Sequence, residues 1–199
     1  MNKSKLIEIF ERYGAYQKDH FLLSSGLHSE WYLQCALVLA HPKIAAKLCN
    51  ELAKKFSAKG GSASGGSGKK IDVVIGPALG GIVVAYEVAR AVGVKGIFAE
   101  REEGKMVLRR GFKINPDDRV LVVEDVTTTG GSVKEVIDLM RSYGAKIVGV
   151  GAIIDRSSGK VEFGIPFKTL VKLNIKTYQP ENCPLCKKGI PAIRPGSRK

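Results

Sequence analysis

Two adjacent carboxylates followed by a run of threonines and glycines form the most informative segment of this chain. The segment reads Glu124-Asp125-Val126-Thr127-Thr128-Thr129-Gly130-Gly131-Ser132 and directly follows an apolar stretch. Backbone N–H groups at a glycine-rich turn that opens a helix bind phosphate, because the helix dipole is positive there. Carboxylates beside a phosphate suit a ligand that also carries hydroxyl groups or Mg²⁺. We therefore predict that residues 124–132, the acidic loop, bind a sugar phosphate, with its phosphate on residues 127–132.

A purely structural role is the alternative for this segment. Ser132 and Glu135 have the spacing of a capping box, in which Ser132 would start the helix. Gly130 and Gly131 would then form only a tight turn. The two carboxylates that close a buried strand immediately before the turn favour a binding function.

A second glycine-rich turn, the glycine loop, lies earlier in the chain. It reads Gly76-Pro77-Ala78-Leu79-Gly80-Gly81, between an apolar run at 71–75 and a helical pattern at 82–92. Its N–H groups are candidates to hold a second anion, and a tight strand-to-helix turn is the alternative.

The surrounding pattern alternates helices and strands. The predicted helices cover 4–13, 42–56, 82–92 and 132–143; the predicted strands cover 71–75, 94–98, 119–123, 147–154 and 169–177. Residues 19–34 read as two short extended pieces around a Ser-Ser-Gly turn, and residues 99–112 as two weak extended runs. Alternation of this kind predicts an α/β fold with a mainly parallel sheet, whose ligands bind at the carboxyl ends of the strands.

Length and composition point to one domain over residues 1–199. The Gly/Ser-rich stretch 57–70 reads as a flexible surface loop, because the segment before it is too short for a domain.

The net charge of +13 favours an anionic partner: nucleic acid, a membrane surface or a phosphorylated small molecule. Without a basic helix face interleaved with aromatics, nucleic acid is not expected. Without a long apolar run, neither is a membrane partner, and we expect a cytoplasmic location.

The acidic loop resembles the phosphoribosyl pyrophosphate signature of type I phosphoribosyltransferases. Further matches are similar to the orotate phosphoribosyltransferase family: residues 21–26, residues 75–81, Asp155-Arg156 and the tail CPLCKKGIPAIRPGSRK. The resemblance implies the fold of that family, with a parallel sheet and a small hood formed by about residues 15–35 plus the C-terminal strand and tail. It also implies transfer of ribose 5-phosphate to orotate, Mg²⁺ held mainly by substrate and water, and a homodimer. Residues 99–112 would be a mobile loop that acts across the dimer interface.

The resemblance also assigns roles to residues. Residues 124–132 would bind phosphoribosyl pyrophosphate and residues 76–81 its pyrophosphate. The catalytic candidates are Arg101, Lys105 and Asp125; the orotate candidates are Thr128, Arg156, Ser25 and Tyr32. Many relatives have a Tyr-Lys pair where this chain has Leu79-Gly80, and a lysine at Ser24, so a cation for pyrophosphate must come from elsewhere. The alternatives are a solvated charged hairpin at 99–112, a surface ion pair for Arg156 and a core position for Tyr32.

Cys183 and Cys186 have zinc-knuckle spacing, but a structural zinc site needs four ligands. The remaining cysteines and histidines are far away in sequence: Cys35, Cys49, His20, His28 and His41. We therefore expect plain reduced thiols and no metal held by the protein.

Two other functions remain open at this point. A purine-base phosphoribosyltransferase would need neither Arg156 nor an orotate-type hood at 21–33. A non-catalytic regulator of the same fold would bind nucleotide or RNA with a steep salt dependence and would show no turnover.

Overall fold

The computed structural model describes residues 1–56 and 71–195. The helices are α1 Lys3–Arg12, α2 Cys35–Leu39, α3 Pro42–Lys54, α4 Gly80–Val92 and α5 Gly131–Ser142. The strands are β1 Tyr16–Leu22, β2 His28–Leu33, β3 Val73–Pro77, β4 Lys95–Glu102, β5 Lys105–Val107, β6 Arg119–Thr127, β7 Lys146–Asp155, β8 Phe167–Lys172 and β9 Thr177–Tyr178. Two short 3-10 helices, Pro180–Asn182 and Cys186–Lys188, follow.

The chain divides into two compact units. The larger one contains Met1 and Leu39–Leu173, and the smaller one contains Asn2–Val38 and Asn174–Lys199. The larger unit holds a six-stranded sheet in the order β5-β4-β3-β6-β7-β8, and the smaller holds a three-stranded sheet in the order β1-β2-β9. The acidic loop and the glycine loop both belong to the larger unit.

The six-stranded sheet is parallel except for its edge strand β5, so the predicted α/β fold is confirmed. Its central strands are nearly continuous apolar runs, because helices cover both faces. On one face α5 packs Val136 and Met140 into a core cluster with β3 and β6. On the other face, glycines let helices approach closely: a Cβ on Gly96 would lie 2.8 Å from the Cβ of Ala89 on α4.

Most predicted elements are present, although the predicted strands 94–98 and 119–123 end too early, since β4 extends to Glu102 and β6 to Thr127. The predicted strand 169–177 is wrong as one element, because its residues form parts of β8 and β9, which lie in different sheets. The short helix α2 was not predicted, and α4 begins at Gly80, two residues before its predicted start. The Gly/Ser stretch 57–70 lies outside the described residues. Among those described, no helix combines the length and apolar character required to cross a bilayer.

Candidate active site

The acidic loop comprises the last four residues of β6, the turn at 128–130 and the first two residues of α5. Gly130, in the left-handed conformation with φ 74°, is the N-cap residue of α5, and it has no side chain to cap the helix. The capping box is therefore wrong: Ser132 lies inside the helix, and Glu135 contacts Arg101 instead. Gly131 N–H donates to Thr129 Oγ1 at 3.4 Å, and the N–H groups of the next two residues are available to an anion.

The two carboxylates at the end of β6 differ in environment. Burial, with the nearby charge of Asp125 as a smaller cause, raises the pKa of Glu124 to about 9. Glu124 therefore carries a proton at neutral pH and can donate a hydrogen bond, whereas the half-buried Asp125 can accept. Each also accepts a bond from the next backbone N–H, Asp125 N to Glu124 Oε1 at 3.1 Å and Val126 N to Asp125 Oδ1 at 2.8 Å. Such a pair can bind adjacent hydroxyl groups of a sugar.

Thr127, the last residue of β6, has a hydroxyl without a partner. The residue is only 1% exposed, and its Oγ1 forms no hydrogen bond with any residue that the structure describes. A buried hydroxyl in this state costs free energy, so its presence in the acidic loop marks a place where a ligand or water completes the bonding.

The glycine loop lies against the acidic loop. Their strands are neighbours in the sheet, with Ile75 of β3 opposite Val122 of β6. A Cβ on Gly80 would lie 2.7 Å from Asp125 Oδ1, so only glycine leaves this carboxylate undisturbed. The loop also closes tightly on itself, since a Cβ on Gly76 would lie 2.4 Å from the carbonyl oxygen of Gly81. Two turns that open helices thus meet at the carboxyl edge of the sheet.

Arg156 lies immediately after β7, beside the acidic loop. Its backbone N–H donates to the carbonyl oxygen of Thr127 at 2.8 Å. The preceding residue, Asp155, is buried and accepts bonds from the backbone N–H and the hydroxyl of Ser157 at 2.8 and 2.6 Å. The Asp155–Ser157 contact was not predicted, although the Asp-x-Ser spacing is typical of a local side-chain turn. It fixes the backbone that carries Arg156.

Residues 99–112 form a charged hairpin, in which β4 and β5 pair around a turn at Glu103 and Gly104. Arg101 forms an ion pair with Glu135 of α5 at 2.9 Å, and Arg109 pairs with Glu102 at 3.0 Å. Lys105 forms no salt bridge with any residue in the described ranges. Arg101, one of the two predicted catalytic cations, is therefore bound to Glu135 of α5.

The remaining predicted site residues are exposed or half-buried. Thr128 is exposed at the tip of the acidic loop. Ser25 and Tyr32 belong to the smaller unit: Ser25 is exposed in the turn between β1 and β2, and Tyr32 is half-buried against Phe21 at 5.5 Å between ring centroids.

The expectation that the two C-terminal cysteines lack further ligands is wrong. In the smaller unit, His20 and His28 lie beside Cys183 and Cys186, and all four ligand atoms are within 4.8 Å of one another. No other group of three or more potential metal ligands occurs in the part of the chain that the structure describes. The acidic loop therefore has no carboxylate cage, and an ion there would need oxygen atoms from a substrate.

Comparison with known proteins identifies the family. A family model for the phosphoribosyl transferase domain matches residues 38–183. Orotate phosphoribosyltransferases from Caldanaerobacter subterraneus subsp. tengcongensis and Thermoanaerobacter sp. are 58% and 57% identical, each over all of this chain and all of the relative. The crystal structure of orotate phosphoribosyltransferase from Aeropyrum pernix superposes with a TM-score of 0.64 at 26% identity, covering 84% of this chain and 93% of the other. The chain therefore belongs to the orotate phosphoribosyltransferase family.

Proposed function

We propose that this orotate phosphoribosyltransferase binds the two ends of phosphoribosyl pyrophosphate on its two adjoining loops. The acidic loop receives the ribose 5-phosphate, and the glycine loop receives the pyrophosphate. The observation that carries the proposal is the contact between Gly80 and Asp125, which brings the two loops together. One extended substrate with phosphates at both ends of a ribose fits this arrangement.

The reaction joins a nitrogen of orotate to the anomeric carbon of the ribose. The carbon–oxygen bond to pyrophosphate breaks, the pyrophosphate leaves with the electron pair, and the ring nitrogen gives up its proton to the pyrophosphate or to water. The transition state has oxocarbenium character, as in glycosyl transfer generally. Because the leaving pyrophosphate or water can take this proton, no strong general base of the protein is required, and catalysis rests on positioning and on stabilisation of the leaving group.

The acidic pair positions the ribose. Protonated Glu124 donates to one ribose hydroxyl, and Asp125 accepts from another, so the sugar is held from the side opposite the phosphate. The unpartnered hydroxyl of Thr127 supports this placement, since a phosphate oxygen would complete its bonding. Mg²⁺, held mainly by substrate oxygens and water, would offset the negative charge of the pyrophosphate.

The leaving pyrophosphate needs cations, which the charged hairpin supplies in this proposal. Lys105 lies at the tip of the hairpin, exposed to solvent. Arg101 reaches the substrate by exchanging Glu135 for pyrophosphate. Both side chains of this ion pair are more than 40% exposed, so the pair is weak and the exchange costs little free energy.

Orotate is bound by Arg156 and Thr128 in this proposal. The planar guanidinium of Arg156 suits a carboxylate, and its backbone is anchored to Thr127 at the edge of the acidic loop. The family resemblance also assigns Ser25 and Tyr32 to the base.

The proposal includes a homodimer and a cytoplasmic location. Leu79, the N-cap residue of α4, and Val83 and Tyr86 within the helix are exposed apolar side chains. They are spaced by four and three residues, so they lie on one side of the helix. A second copy of the chain is the occupant that the family resemblance suggests for this face. All four cysteines are free, which fits a reducing compartment.

The experiment that tests the substrate assignment is a turnover assay with orotate, hypoxanthine, guanine and uracil. We expect pyrophosphate release with phosphoribosyl pyrophosphate, Mg²⁺ and orotate only. Arg156→Ala should lower kcat/KM for orotate by about 100-fold or more, because its carboxylate loses a bidentate partner. Arg141→Ala, at an exposed arginine that pairs with Asp138, is the matched control and should keep wild-type turnover. Turnover with a purine but not with orotate would contradict the assignment; nucleic-acid binding without turnover would favour the regulator.

A further inference from the structure

Two histidines and two cysteines of the smaller unit converge on one point. In sequence, all four are distant from the acidic loop and the glycine loop. His20 comes from β1, His28 from β2, Cys183 from the residue after the first 3-10 helix, and Cys186 from the start of the second. His20, His28 and Cys183 are buried, with at most 8% exposure, whereas Cys186 is exposed. None of the four has a role in the proposed transfer reaction.

The distances within this cluster are close to those of a tetrahedral zinc site. Zinc bonds of about 2.0 Å to nitrogen and about 2.3 Å to sulfur place tetrahedral ligands about 3.3–3.8 Å apart. Cys183 Sγ and Cys186 Sγ lie 3.5 and 3.7 Å from His20 Nε2, and Cys186 Sγ lies 3.2 Å from His28 Nδ1. The two imidazole nitrogens, 2.7 Å apart, would have to separate by about half an ångström.

The tautomer of His20 favours a metal. Its Nδ1 lies 2.7 Å from the carbonyl oxygen of Ile190, which can only accept, so Nδ1 carries the hydrogen. In the neutral ring the lone pair is then on Nε2, the atom that faces His28 and both cysteines. In metal sites a ligand histidine almost always donates its other ring N–H to a carboxylate, a backbone carbonyl or water.

The hairpin and the tail bring these ligands together although they are far apart in sequence. Leu22 of β1 pairs with His28 of β2, and His20 precedes Leu22 by two residues, so the two histidines are diagonal neighbours. The pairing register shifts between Lys18 and Phe21, an irregularity that re-aims the His20 side chain. The tail runs along β1, with Ile193 exchanging backbone hydrogen bonds with His20 and Leu22.

The geometry points to a structural Zn²⁺ site formed by His20, His28, Cys183 and Cys186. Two thiolates and two imidazoles in a tetrahedral arrangement select zinc over Mg²⁺, which prefers oxygen ligands. All four positions are filled by protein, so the ion has no open site for catalysis. Its role is to fasten the C-terminal tail to the β1–β2 hairpin, and exposed Cys186 marks the side from which the ion enters.

The test is the zinc content of the full-length chain purified under reducing conditions, with Cys186→Ser as the site variant. Because Cys186 is exposed, this variant should fold. Cys49→Ala, at a buried cysteine of α3, is the matched control. We expect about one zinc per chain in the wild type and the control, and loss of zinc from Cys186→Ser at a chelator concentration that leaves the wild type loaded. Zinc should raise the melting temperature of the metal-free wild type and have a smaller effect on Cys186→Ser.

A second measurement does not depend on any variant. Co²⁺ added to the metal-free wild type should give the intense visible bands of a tetrahedral site and thiolate-to-cobalt charge transfer. The inference is overturned if the wild type binds neither zinc nor cobalt in this way, if Cys186→Ser retains zinc as the wild type does, or if Cys183 and Cys186 form a disulfide in the reduced preparation. No substrate is present in these measurements, so their outcome is independent of the proposed reaction.

Discussion

The protonated Glu124 at the end of β6 makes stability depend on pH. Its folded-state pKa of about 9 lies above its usual value of 4.5. Between these values the folded state holds a proton that the unfolded state has released, so stability falls as pH rises. Relative to Glu124→Gln, the wild type should lose about 1 kcal/mol of unfolding free energy per pH unit between pH 5 and 9. Urea unfolding without ligand checks this, and a constant difference across that range would contradict the buried, protonated state.

A methyl group at Gly80 tests whether the two loops depend on each other. Gly80→Ala would place a Cβ within 2.8 Å of both carboxylate oxygens of Asp125 and push that side chain aside. We expect kcat/KM for phosphoribosyl pyrophosphate to fall by about 10- to 100-fold, because displacement of a positioning group by an ångström costs this much. Arg90→Ala, at an exposed site on the same helix, is the control. Full activity of Gly80→Ala would show that the contact does not matter.

For individual residues, the sequence predicted the acidic loop and the placement of Arg156 near it. It did not predict the metal cluster, because His20 and His28 meet Cys183 and Cys186 only through the hairpin register and the return of the tail. It also did not predict that Glu135 binds Arg101. The spacing of Ser132 and Glu135 indicated a cap, but Gly130 starts the helix through its left-handed backbone.

Among the elements, the charged hairpin carries the largest functional prediction. If Arg101 leaves Glu135 to bind pyrophosphate, Arg101→Ala should lower kcat by about 100-fold, because it removes a charge that stabilises the leaving group. Glu135→Gln should keep kcat within about twofold, because it removes only a weak competing ion pair. Arg109→Ala, in the same hairpin and paired with Glu102, is the matched control. Steady-state kinetics decide: equal kcat for Arg101→Ala and Arg109→Ala would contradict the role of Arg101.

The central elements follow from the sequence because their buried strands are uninterrupted apolar runs and their helices have a regular apolar face. The elements at the periphery do not follow from the sequence in this way. The run 169–177 contains no glycine or proline, and its division between two sheets depends on tertiary pairing, with β8 beside β7 and β9 beside β2. The five-residue helix α2 is too short for periodicity to indicate.

For the whole molecule, the exposed face of α4 predicts association of two copies. Tyr86 is 65% exposed although it is large and mostly apolar. Tyr86→Glu should shift the chain from dimer to monomer in analytical ultracentrifugation, because it would bury two charges in the interface. Tyr143→Glu, at the exposed tyrosine of the α5 C-cap, should remain dimeric. A Tyr86→Glu chain that sediments as the wild type does would rule out this interface.

Mixing two inactive variants tests whether the charged hairpin acts across the proposed interface. Arg101→Ala and Asp125→Asn damage different parts of the site, so a mixed dimer regains one intact site only if the two residues come from different chains. Partial recovery of activity after mixing and re-association would support the shared site. Activity no greater than the average of the two parents would place both residues of each site in one chain.

The most direct measurement is a crystal structure of the protein with phosphoribosyl pyrophosphate and Mg²⁺. The 5-phosphate should lie on the N–H groups of residues 128–132, the ribose hydroxyls on Glu124 and Asp125, and the pyrophosphate on residues 76–81. Ligand density in a different pocket, with the acidic loop empty, would contradict the central claim that one ribose 5-phosphate is held between these carboxylates and the start of α5.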